Sequence, residues 1–174
     1  MKKLFVLYIF ISINLFAQTP DFSKEVQTAM SSVSVMAGKW EGDGWRFSPN
    51  GEKNFSHTIE NIEWKLDKTL LVLEGLGEKD SGQIVHNAYG VLSYNPHADK
   101  YSLKTFLSSG LSTDASFEVV ESNKIFRWWF EDNRGGTIQY TITNSGDEWN
   151  EIGEYSMDKK QWKKFFEMNL KKME

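Results

Sequence analysis

From Gly38 to the C-terminus, apolar and polar residues alternate with a period of two, and turn-forming residues interrupt the alternation at regular intervals. Side chains on a strand point to opposite faces in turn, so this pattern predicts strands with one buried face. Upstream the spacing differs. Phe22, Val26, Met30 and Val33 lie four, four and three residues apart, which is the spacing of one helix face. This predicts a short helix over 21–34, with Asp21 placed to cap it, covering one end of whatever the strands build.

Nine breaks divide the alternating region. Pro49-Asn50-Gly51 is the strongest, because Asn and Gly tolerate the positive φ of tight hairpin turns. The others fall at Asp67-Lys68, Lys79 to Gly82, Asn95-Pro96, Ser108 to Gly110, Ser122-Asn123, Asn133 to Gly136, Asn144 to Asp147 and Asp158-Lys159. Ten strands follow, expected at 38–48, 53–66, 69–78, 83–95, 99–107, 112–121, 124–132, 136–144, 148–157 and 160–172. No segment of crossover length separates them, so neighbours should run antiparallel. Closing the first strand onto the last removes two costly sheet edges, and Trp162 to Leu170 is apolar enough to pair on both sides. The fold class expected is all-β: a single closed antiparallel up-and-down barrel of about ten strands with a short N-terminal helix. A two-sheet sandwich is the alternative.

Within the first strand Trp40, Gly42, Gly44 and Arg46 share one face, and Lys39, Glu41, Asp43, Trp45 and Phe47 the other. The second set is mostly charged and is assigned outward. Trp40 should then plug the barrel, while Gly42 and Gly44 mark either the bend of closure or room for a ligand. Phe126, Trp128 and Phe130 alternate on a later strand, and Tyr140, Trp149, Tyr155, Trp162 and Phe166 add aromatic surface. Glu60 and Glu63 fall on opposite faces of the second strand, and Glu151 shares a face with Trp149, Gly153 and Tyr155. Glu167 is embedded among apolar residues; pointing inward, it would need a partner such as Arg46, Arg127 or Arg134, because an unpaired buried charge is costly.

Composition adds the compartment. Met1-Lys2-Lys3, the apolar run Leu4 to Phe16 and the small Ala17 read as a cleavable secretory signal over 1–17, with 18–37 expected as linker and helix and 38–174 as the barrel. The run is too short for a transmembrane helix, which needs about 20 residues; an uncleaved anchor is the alternative. Export would place the protein in the periplasm or outside the cell. Losing Lys2 and Lys3 would take the formal charge from −4 to −6, and no basic face or charged tail indicates a nucleic-acid partner. No membrane association is expected after cleavage. Cysteine is absent, which excludes disulfides, a lipid-bearing cysteine and thiol chemistry.

The histidines are His57 on the second strand, His86 on the fourth and His97 in a turn. None has metal-site spacing, so no metal or cofactor is expected. Nor is there a nucleophile elbow, P-loop or dinucleotide fingerprint: Gly42-Asp43-Gly44 lacks the third glycine and the strand–helix context. No catalytic residue is assigned. The expected function is binding of a small hydrophobic or mixed-polarity ligand, at a candidate site comprising Trp40, Gly42, Gly44, Arg46, His57, His86, Trp128, Tyr140 and Glu167. An enzyme using an inward His, Arg or Glu is the second reading.

Gly38-x-Trp40-x-Gly42-x-Gly44 after a short helix resembles the opening of lipocalin-like (calycin) barrels. Together with Tyr94-Asn95-Pro96, Glu151-Ile152-Gly153-Glu154-Tyr155-Ser156 and Trp162 to Leu170, it is similar to a bacterial family of uncharacterised lipocalin-like barrels. It is distantly similar to the nitrobindins, ten-stranded barrels that bind haem and handle nitric oxide. The resemblance implies a ligand-binding barrel. The nitrobindin ligand is a late-strand histidine, and no histidine follows His97, so haem would need His57, His86, a Tyr or a Met.

Overall fold

The computed structural model describes residues 20–48 and 50–174; the expected signal at 1–17 lies outside the described residues, as do Gln18, Thr19 and Pro49. Helix α1 (Ser23–Met30) runs into a 3₁₀ segment, Ser31–Met36. Ten strands follow: β1 (Gly38–Phe47), β2 (Lys53–Lys65), β3 (Leu70–Glu78), β4 (Ile84–Asn95), β5 (Lys100–Leu107), β6 (Ser112–Glu121), β7 (Ile125–Glu131), β8 (Thr137–Asn144), β9 (Glu148–Ser156) and β10 (Lys163–Lys172). Each pairs antiparallel with the next, and β1 also pairs with β10, from Trp40 opposite Lys172 to Arg46 opposite Phe166. The sheet is therefore a closed up-and-down barrel, not a sandwich.

Most strand limits fall within a residue or so of those read from the turns. The exception is β10, expected from residue 160. The Asp158 carboxylate accepts the backbone N–H groups of Lys160 and Gln161, both at 2.9 Å, and holds them in the turn.

Closure depends on Gly42. A Cβ there would overlap the Asn169 carbonyl of β10, and one at Gly44 would sit 3.0 Å from the Glu167 carbonyl. The two glycines thus admit the last strand against the first, one of the two reasons for glycine in a strand.

The helical segment seals one end. Met30, Val33 and Met36 are buried against Trp40, Leu71, Leu92, Phe117 and Phe126, each such side chain contributing about 1.5–3 kcal/mol. Trp40 is fully buried, donates its indole N–H to the Met36 carbonyl at 2.9 Å, and meets Trp149 edge-on at 5.5 Å. Turns at this end hold the plug. The Asn123 carboxamide accepts from Ser34 Oγ (3.0 Å) and Val35 N (3.1 Å) and donates to the Ser31 carbonyl (3.1 Å), while its backbone N–H donates to the Ser32 carbonyl (2.8 Å). Tyr101 donates its hydroxyl to the Ala29 carbonyl at 2.6 Å.

Candidate functional site

Above this floor the barrel encloses a cavity of about 1140 Å³. Its inner wall includes Thr58 and Glu60 from β2, His86 and Ala88 from β4, Trp128 and Phe130 from β7, Tyr140 from β8, Glu151 and Tyr155 from β9, and Phe166 and Met168 from β10. Residues of the opposite end, among them Ser48, Lys79, Leu111, Arg134 and Lys163, form its mouth.

One side is an aromatic shelf. Trp128 and Tyr140 stack with ring centroids 4.0 Å apart and planes 8° from parallel, Phe130 extends the stack at 6.0 Å, and Phe166 meets Tyr140 edge-on at 5.7 Å. Gly153 makes the shelf possible: a Cβ there would lie 2.8 Å from Tyr140 Cε1 and 2.9 Å from Phe166 Cβ.

Charge is graded along the cavity. Arg46, Lys79, Arg134, Lys163 and Lys164 line its outer part. Arg134 pairs with Asp132 at 2.5 Å and Lys164 with Glu167 at 2.8 Å, whereas Arg46 has no carboxylate partner among the described residues. Burial, and then the nearby Arg46 charge, hold the His86 imidazole below its ordinary pKa, in the neutral form. Burial also raises the Tyr140 phenol, keeping it protonated.

Two carboxyls lie further in. Glu151 is buried and accepts indole N–H groups from Trp128 (Oε1, 3.1 Å) and Trp149 (Oε2, 3.3 Å); burial pushes its pKa up to about 7 despite those donors. Glu60 is pushed up to about 8, first by burial and then by the Glu151 charge. Its carboxyl lies flat over Gly75, where a Cβ would come within 2.6 Å of Oε1. No described residue donates a hydrogen bond to it.

The sequence-derived candidates separate into two groups. Arg46, His86, Trp128 and Tyr140 border the cavity. Trp40 lies beneath it as part of the plug, and Gly42 and Gly44 serve the β1–β10 contact instead of leaving space. His57 is on the outer wall, its ring nitrogens 3.0 Å from Asp43 and 3.0 Å from Glu41. Glu167 also faces outward, to Lys164 and the Trp45 indole N–H at 3.1 Å; none of the suggested arginines reaches it. An enzyme relying on His57 or Glu167 would thus have neither in the cavity. Glu60 and Glu151 were not among the candidates, although the shared faces of Thr58, Glu60 and Ile62, and of Trp149, Glu151 and Gly153, carried the signal. Among the described residues no three His, Asp or Glu side chains converge as a metal site.

A closed ten-strand antiparallel barrel with a plugged floor and an internal cavity defines a lipocalin-like barrel. No protein-family model matches the chain, and no curated protein sequence matches it. Solved structures do. The crystal structure of Rv2717c from M. tuberculosis aligns with TM-score 0.61 and 13% identity over 86% of this chain and 98% of that one. The S-type phycobiliprotein lyase CPES from Guillardia theta aligns with TM-score 0.58 and 9% identity over 89% of this chain and 98% of that one. At these identities the likeness establishes the fold alone.

Proposed function

We propose that the protein is an exported binding barrel for a small molecule with an apolar body and an acidic group, held with the acid toward the mouth. The observation that carries this reading is the cavity itself: an aromatic shelf inside, and at the mouth an arginine, Arg46, with no carboxylate partner among the described residues. Large apolar pockets with few polar anchors are the usual form of small-molecule sites. A carboxylate or sulfonate at the mouth would meet Arg46 in a charge-assisted hydrogen bond.

The test uses two probes. 1-Anilinonaphthalene-8-sulfonate should bind with a fluorescence increase, and dodecanoate should displace it. Arg46→Ala should weaken dodecanoate about fivefold or more while leaving dodecanol unchanged. No binding of either anion overturns the reading. Export is tested separately: in a Gram-negative host the full chain should reach the periplasm, with the mature protein beginning near Gln18.

A second reading follows the distant sequence resemblance to nitrobindins. It is favoured by His86, which borders the cavity in the neutral form that ligates metals. Haem, if bound, would supply a metal centre; His86 would be the residue to hold the metal, and Arg46 would be available to its carboxylates. Added haemin should then give a shifted Soret band that His86→Ala abolishes; an unshifted band removes this reading.

A further inference from the structure

The Glu60 carboxyl faces the cavity, yet no described residue hydrogen-bonds to it. Its oxygens open onto the cavity and not onto neighbouring protein groups, so their hydrogen-bond partner has to come from what fills that cavity. Its setting is specific. Gly75 leaves room for it on β3, and Glu151 reaches the same cavity from β9, across the two intervening strands β1 and β10. The Trp128 and Trp149 indoles fix the Glu151 oxygens, each of which keeps a free acceptor position. Two carboxyl groups thus line an otherwise largely apolar chamber, and no described cationic side chain pairs with either.

We propose that the inner end of this cavity is a subsite for a protonated amine, so that the ligand is an apolar molecule with a basic nitrogen at one end and an acid at the other. This rests on the binding-barrel reading above. The amine would donate to Glu60 and Glu151 while the acid meets Arg46. The dimensions agree: Arg46 is six residues along β1 from Trp40, the residue opposite Glu60, which is about 20 Å of strand and about 15 Å along a tilted barrel axis. A twelve-carbon chain spans that height.

The groups that share the cavity with Glu60 are Glu151 from β9, Tyr140 from β8, His86 from β4, Arg46 from β1 and the mouth cations Lys79, Arg134, Lys163 and Lys164. Only Glu151 influences its ionisation appreciably. Both carboxyls hold protons near neutrality, so an incoming ammonium must displace protons to form its ion pairs. Binding should tighten as pH rises through the range in which the carboxyls ionise.

Isothermal titration of 12-aminododecanoate and dodecanoate tests this. At about pH 8.5 the amino acid should bind about tenfold or more tighter, the preference should shrink several-fold at about pH 6, and Glu60→Gln should bring the two ligands level. Equal binding by the wild type at both pH values, or a preference that survives Glu60→Gln combined with Glu151→Gln, overturns the amine subsite and leaves the acid-binding barrel standing. Failure of both ligands to bind overturns both readings. Should a variant not fold, the wild-type preference and its pH dependence decide alone.

Discussion

Trp128 and Tyr140 are direct partners across the β7–β8 ladder, and their rings stack 4.0 Å apart at 8° while the Trp128 indole reaches back to Glu151. The apolar shelf and the inner carboxyl are therefore mechanically one unit. Tyr140→Ala should cost about 2–4 kcal/mol in urea unfolding and also weaken 1-anilinonaphthalene-8-sulfonate binding. Tyr140→Phe keeps the ring and should leave both within about 1 kcal/mol of wild type.

Glu60 makes stability depend on pH in an unusual direction. Its folded pKa, about 8, exceeds the unfolded value of 4.5, so between these limits the native state holds the extra proton. Its contribution is complete below 4.5 and is lost as pH rises to about 8. Glu60→Gln should therefore match wild type near pH 4.5 and exceed it by at least about 1 kcal/mol at pH 9 in denaturant titrations. His57 acts in the same direction: the hydrogen bonds its ring donates to the Asp43 and then the Glu41 carboxylate raise its pKa, so its contribution is present below 6.5 and fades above. The difference between variant and wild type removes that common background.

Gly42→Ala should be far more damaging than its single methyl implies. That methyl would collide with backbone of β10, which cannot rotate away as a side chain can. A loss of about 3 kcal/mol or more, or failure to fold, is expected, with a smaller loss for Gly44→Ala. Thermal unfolding of the two variants side by side checks the order.

Asn123→Ala removes three side-chain hydrogen bonds to the plug and leaves a β-carbon residue at φ 54°. A loss of about 2 kcal/mol is expected. Amide exchange should accelerate selectively across Ser31–Met36, with the strands distant from the plug unaffected.

The barrel was readable because its turns announce themselves chemically, as at Asn50-Gly51, and because each strand carries its own alternation. The face of an individual strand could be read, as for Trp40 and Arg46. What could not be read was whether a face made of both kinds of residue looked inward. His57 sits outside because register sets it opposite Asp43, and register is a property of two strands together. Glu167 was harder still: apolar residues flank it on both faces of the strand, and only its pairing with Trp45, between the inward Phe166 and Met168, shows that it points out. Glu60 and Glu151 are far apart in sequence, and only the closed barrel shows that they share a chamber.

The plugged floor has a consequence for traffic. With Trp40 and the Met30–Met36 segment closing one end, the chamber is a bottle and not a conduit. On the proposed binding reading, a guest would leave by the neck through which it came, and no second molecule could push it out from behind. Whatever delivers or collects the cargo would have to meet the protein at the rim carrying Ser48, Lys79 and Leu111.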